Sequence, residues 1–232
     1  VTEIPFQIGL AWRLRGRCAH GRTSYRYKKS GWPVPKVTSD FVEAKINRST
    51  LFVEEAGVIN VEKLPSEQFV IRLQAPKIAA QSTPGTFVHV QCDEMIMMRR
   101  PLSIMRANSK QGWIEVLFKI VGDGLKALAN KKSGEIVSSI GPIGNGFKPN
   151  PDRQKSILIG GGVGIPPMIF LAEQLKDDSR DWRPLMLMGS EIPFPFKLES
   201  SKILTPWLGH DIVSTMPLME KWGILARLSS LK

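Results

Sequence analysis

The sequence predicts a small antiparallel β-barrel followed by a parallel α/β unit. Three observations carry this. Between about residues 50 and 149 the chain is a series of short runs with period-2 alternation, separated by Gly, Pro, Asn or Lys turns. After about residue 154 the rhythm changes to apolar strand, helix, apolar strand, the order that builds a parallel sheet. Where that first strand meets its helix stands ILIGGGVGIPPMIFLAEQL, residues 157–175, a glycine cluster closed by two prolines.

The elements follow in order. QFVIRLQA puts Phe69, Ile71 and Leu73 on one face, with Arg72 and Gln74 on the other. GTFVHVQC and PLSIMRA are further β-rich runs. WIEVLFKI sets Ile114, Val116, Phe118 and Ile120 against Glu115 and Lys119. A short helix is expected near Gly124 to Lys131, then GEIVSSI as another strand. Five or six such strands in under a hundred residues close most readily into a barrel, here over residues 50–149. From residue 154 to 232, SILIG and PLMLMGS read as buried strands around the helix PPMIFLAEQLK. A helix around Val213 to Lys221 and a last strand, ILARLSS, complete the pattern. Three strands and two helices make a thin layer, since open nucleotide-binding sheets usually have about five or more. This unit is therefore expected to be incomplete.

The glycine turn fails G-x-G-x-x-G, because Ile165 stands where the third glycine belongs, and it lacks the Gly-Lys-Ser/Thr of a P-loop. It still suits an anion. Gly161, Gly162 and Gly164 leave backbone N–H groups open to a ligand, and Pro166 fits a first helical turn that needs no N–H. The helix N-terminus adds a favourable dipole. A tight βα turn without a ligand is the alternative. Upstream, Arg100 and Ser103 in MMRRPLSIM offer a guanidinium fork and a hydroxyl for a diphosphate or polyol. In KIVGDGLKAL, Gly122 and Gly124 precede a second helix N-terminus.

Composition excludes several classes. No apolar run reaches the ~18 residues of a membrane helix. The nearest, Ile157 to Ala172, is broken by glycines and prolines. Of the formal charge of +11, residues 1–37 hold +7, which leaves a mildly basic body of +4. The charge thus argues against a nucleic-acid-binding body. Residues 1–45 read as a basic, poorly structured extension, with a transit peptide and a nucleic-acid-binding arm left open as alternatives. Cys18 and Cys92, with His20, His89 and His210, are too few and too scattered for a metal site or disulfide framework, and they suit a reducing compartment.

Four ordered motifs, Arg100-Pro101-Leu102-Ser103, Gly122-Asp123-Gly124-Leu125, GPIGNGF at 141–147 and GGGVGIPP at 160–167, resemble those of the ferredoxin-reductase-like flavoproteins. Within that family the resemblance is greatest to the electron-transfer subunits of dihydroorotate dehydrogenase. It spans about residues 50–190, continues weakly to 232 and leaves 1–45 unmatched. It implies a six-stranded Greek-key FAD-binding barrel and a parallel-sheet NAD(P)-binding domain. FAD would be contacted by Arg100, Pro101, Leu102 and Ser103, by Leu117, Phe118 and Lys119 along the flavin and ribityl, and by Gly122, Gly124 and Leu125 at the diphosphate. Leu117 and Phe118 could equally be plain barrel core. The pyridine nucleotide would lie on Gly161, Gly162, Gly164 and Pro166, with Gly189 and Ser190 continuing the site.

Three departures from the family pattern stand out. Leu125 replaces the usual Thr, and the Cys-Gly-Pro segment and the cysteine cluster for a [2Fe–2S] centre are absent from this sequence. The expectation is a cytoplasmic, FAD-dependent electron-transfer oxidoreductase. It would use NAD(P)H and a redox partner protein, in a hetero-oligomer with a dihydroorotate dehydrogenase-like catalytic subunit, away from membranes. No side chain is expected to act as acid or base, because the flavin carries the redox chemistry. The alternative is a truncated, non-catalytic flavin-binding remnant or interaction module.

Overall fold

Alternation becomes a closed wall of strands in a computed structural model that describes residues 50–203 and 213–230. The basic extension expected over 1–45 lies outside the described residues. Six strands form the barrel: β1 (Phe52–Leu64), β2 (Gln68–Gln74), β3 (Phe87–Val90), β4 (Arg100–Asn108), β5 (Trp113–Lys119) and β6 (Ile136–Ile143). They close in the order β1-β2-β5-β4-β3-β6, and every pairing is antiparallel.

The inward positions are those the alternation selects. Phe69, Ile71 and Leu73 from β2 meet Ile114, Val116 and Phe118 from β5, and Phe69 stacks on Phe118 with centroids 5.8 Å apart. The helix α2 (Gly122–Ala129) plugs this core with Leu128, flanked by Leu125 and Ala129. The segment GPIGNGF closes the barrel: Ile143 pairs with Phe87, and the Phe147 N–H donates to the Pro84 carbonyl at 2.8 Å. The sequence reading missed α1 (Pro76–Gln81), a six-residue helix begun by proline and too short to show a period.

A bulge in β4 decides what faces outward. Ile104 pairs with Val116 and Arg106 with Glu115, so Met105 is an extra residue on its strand. In unbroken alternation Arg106 would share the inward face of Leu102 and Ile104. With the bulge, Arg106 lies outside beside Glu115.

The second unit is a three-stranded parallel sheet in the order β11-β8-β7, from β7 (Ile157–Gly161), β8 (Leu185–Ser190) and β11 (Leu225–Ser230). One face carries Leu158, Met186, Met188, Ala226 and Leu228 against α3 (Ile165–Asp177). The other face stays open at β7, where Ile157 and Ile159 are 63% and 72% exposed. A two-residue antiparallel pair, β9 (Glu199–Ser200) with β10 (Ser214–Thr215), precedes α4 (Pro217–Lys221). The helix expected from Val213 therefore starts four residues later. Met216 before Pro217 is extended (φ −85, ψ 127), as a residue preceding proline prefers, and the proline opens the helix.

Barrel and sheet share their packing. Met105 of β4 belongs to the core of the parallel sheet, while Phe170 of α3 belongs to the barrel core.

Candidate functional site

The first cluster forms where β4 begins. Arg100 lies on the inward-pointing register of β4, at the barrel end that α2 covers, and its guanidinium rests on the first turn of α2. A Cβ placed on Gly124 would lie 3.1 Å from Arg100 Nε and 3.5 Å from Nη2. Any larger residue at 124 would push the guanidinium away. Gly122 (φ +75) opens the helix in a backbone conformation that favours glycine, with no atom within 4 Å of where its side chain would be. No side chain caps this helix, so its first N–H groups stay free for a ligand. Among the described residues Arg100 has no carboxylate partner. A bare cation beside uncapped N–H groups can attract an anion.

The other residues of the motif separate. Ser103 pairs with Phe87 and, three positions from Arg100, lies on the opposite face of β4. Pro101 is exposed on that outer face, while Leu102 is buried in the barrel core. On β5, Leu117 faces outward against the core of the parallel sheet, Phe118 points into the barrel, and Lys119 is exposed. Leu125 has no hydroxyl to offer and spends its side chain on the barrel core beside Leu128.

The second cluster lies at the C-terminal edge of the parallel strands. Gly161 pairs with Gly189, which brings the glycine turn beside Gly189 and Ser190. Gly162 (φ +51), Gly164 and Gly189 have open space where a side chain would stand, and Val163 is exposed. The N-terminus of α3 has no side-chain cap, and Pro166 is buried in its first turn. Ser190 Oγ accepts the Ile192 N–H at 3.3 Å, which shapes the loop after β8. Gly160 acts differently: a Cβ there would stand 2.9 Å from the Gly164 carbonyl oxygen and 3.1 Å from Ile165 Cα. Both are backbone atoms of the turn, so Gly160→Ala is expected to displace the start of α3. Circular dichroism melting should register a loss of about 1–3 kcal/mol, and an unchanged midpoint would show that the turn can relax around a methyl group.

A cavity of about 990 Å³ opens at the opposite end of these strands, lined by Lys155, Arg180, Trp182, Arg183 and Trp222 among others. Arg180 and Arg183 there are already paired with Asp178 and Asp181. The glycine turn therefore lies at the other end of the sheet from this cavity.

No protein-family model matches the chain. Over 127 residues it is 35% identical to the electron transfer subunit of dihydroorotate dehydrogenase B (NAD(+)) from Desulforamulus reducens, which covers 54% of this chain and 48% of that protein. The corresponding subunit of Bacillus mycoides is 34% identical over 122 residues, covering 51% and 47%. The chain thus spans about half the length of the curated relatives it matches. Among solved structures, an NADH-dependent reduced ferredoxin-NADP oxidoreductase superposes with TM-score 0.59 at 20% identity, covering 76% of this chain and 57% of the other. The ferredoxin reductase in carbazole 1,9a-dioxygenase gives TM-score 0.59 at 21% identity, over 78% and 51%. The chain has the fold of the ferredoxin reductases.

In this ferredoxin-reductase-like fold the seam between barrel and sheet is ionic as well as apolar, which sequence reasoning missed. Arg106 Nε donates to both carboxylate oxygens of Glu173 at 3.1 Å, and Nη2 donates to Oε1 at 2.5 Å. Its Nη1 lies 3.6 Å from Glu115 Oε2. Glu115, only 7% exposed, also accepts two bonds from Arg72 at 2.9 and 2.5 Å. Trp113 lies under Arg72 at 4.3 Å, and Trp222 faces Arg106 at 5.5 Å. The hydrogen bond to Glu173 raises the Arg106 pKa above its usual value against the opposing effect of burial. Arg106 and Glu173 lie 67 positions apart, so only a tertiary contact reveals the pair. Among the described residues no helix is long and apolar enough to cross a membrane, and no cluster of ligating side chains could hold a metal ion.

Proposed function

We propose that this protein binds FAD on the barrel and a nicotinamide nucleotide at the glycine turn, and passes electrons between NAD(P)H and a partner protein. The observation that carries this is Arg100 lying against Gly124 at the uncapped start of α2. A diphosphate fits that cradle: the guanidinium supplies a charged fork, the helix start supplies N–H donors, and Gly122 and Gly124 keep side chains out of the way. Bound FAD would supply hydride and single-electron chemistry. Outer-face residues of β4 and β5, Ser103 and Leu117, are the candidates to orient the flavin and limit its contact with water. Gly161, Gly162, Gly164 and Pro166 would hold the nucleotide diphosphate at the start of α3, with Gly189 and Ser190 shaping the adjoining wall.

By likeness to the electron transfer subunits, the partner would be a dihydroorotate dehydrogenase-like catalytic subunit in a hetero-oligomer. The residues present supply no cysteine cluster for a [2Fe–2S] centre: Cys92 is buried, and Cys18 lies outside the described residues. A flavin-binding module without hydride transfer is the second reading, favoured by the thin sheet with its open face at Ile157 and Ile159.

Purified protein is expected to be yellow, and NADH or NADPH should bleach the flavin band in an anaerobic stopped-flow experiment. A protein that stays colourless and takes up no added FAD overturns the proposal. One that binds FAD but never bleaches is the module of the second reading.

A further inference from the structure

One strand serves both clusters. β4 begins with Arg100 and continues through Ser103 to Met105 and Arg106, which meet the α/β unit. At about 3.3 Å per residue, Arg106 lies roughly 10 Å along the strand from Ser103. On the other side, Glu173 is eight residues into α3, roughly 12 Å from the helix start that carries the glycine turn. The Arg106–Glu173 contact is thus a short brace between the strand of the proposed flavin site and the helix of the proposed nucleotide site.

Apolar packing alone sets this distance loosely, because it is non-directional. A guanidinium donating to both oxygens of one carboxylate fixes direction as well as distance. Glu115 holds Arg106 from the barrel side and Trp222 covers it, so the fork cannot swing freely. Hydride transfer needs reacting atoms about 3–3.5 Å apart, and a misplacement of about 1 Å can cost around a hundredfold in rate.

We infer that Arg106 and Glu173 are positioning residues that set the register of the nucleotide helix α3 against the flavin strand β4. The inference rests on the function proposed above. Neither residue touches a ligand; they act through the two elements they join.

The test compares the full chain with Glu173→Gln, which keeps shape and loses charge, and with Arg106→Lys, which keeps charge and loses the fork. In the FAD-loaded protein, Glu173→Gln should retain its flavin but lower the limiting rate of flavin bleaching at least about tenfold. Half-saturating NADH should stay within about twofold, because the glycine turn itself is untouched. Arg106→Lys should recover part of the rate. A limiting rate within twofold of the parent, with only a lower melting temperature, would make the contact merely structural and overturn the inference.

A second readout needs no cofactor. Amide exchange along Ile169–Asp177 in the FAD-free protein should quicken about tenfold or more in Glu173→Gln, while β1 and β2 keep parental protection. Parental exchange throughout α3 would overturn the clamp on its own. Failure of the parent to bleach with nicotinamide nucleotides would instead overturn the proposed function, and the exchange result would still decide the clamp.

Discussion

Arg100→Ala is expected to fold normally and lose most of its FAD. Arg100 has no carboxylate partner among the described residues, and no backbone bond depends on its side chain. Its removal should therefore move the melting midpoint little, as for other substitutions without a packing role. Binding is a different matter. Charge-assisted hydrogen bonds to a diphosphate contribute about 2–3 kcal/mol, so affinity should fall roughly 30- to 140-fold. Purified variant protein should show a much reduced ratio of flavin to protein absorbance, and titration with FAD should give the weakened Kd. Arg100→Lys keeps the charge but lacks the fork, so it should fall between the two. Full retention of FAD by Arg100→Ala would remove the observation on which the proposed function rests.

Glu115→Ala should be among the most destabilising single changes in the seam. The carboxylate accepts bonds from Arg72 and neutralises Arg106, and both guanidinia are partly buried against Trp113. Truncation would leave the Arg72 cation without its counter-charge, next to an Arg106 held by Glu173 alone, with an empty volume beneath them. Breaking a buried pair in this way costs about 3 kcal/mol, which lowers the melting midpoint by about 6–12 °C in a unit of this size. Calorimetry or urea unfolding can read the change. Its control is the exposed pair Lys63–Glu67, 2.8 Å apart with both side chains more than half exposed, where Lys63→Ala should leave the midpoint unmoved. Equal effects at the two sites would mean that burial of Glu115 contributes nothing.

Glu115 also shows what sequence can and cannot reveal. Alternation in WIEVLFKI correctly separates Glu115 from Ile114 and Val116, because a barrel wall always has an inner face. It says nothing about what lies over the outer face. There Arg72 and Arg106 lie over it, the latter held by Glu173 of the downstream helix α3, and an outward carboxylate becomes a buried one. The glycine turn was legible for the opposite reason: its strand, glycines, proline and helix are contiguous, so local geometry decides its shape. Between these cases lies Arg100 with Gly124. Each is visible in its own motif, but only the fold sets a guanidinium against a helix start. The late start of α4 at Pro217 was readable from the proline itself, which the period-based reading overran.

The bulged Met105 works as a phase shifter within β4. Upstream of it, even-numbered side chains look into the barrel; downstream, Arg106 looks out. The two halves of the strand are consequently written in opposite phase, one serving the proposed ligand cradle and the other a helix brace. Deleting Met105 would place Arg106 directly after Ile104, still facing out, but would remove the side chain that β4 contributes to the core of the parallel sheet. The bulge is therefore what lets two successive side chains, Met105 and Arg106, both face the α/β unit, one for its core and one for its brace.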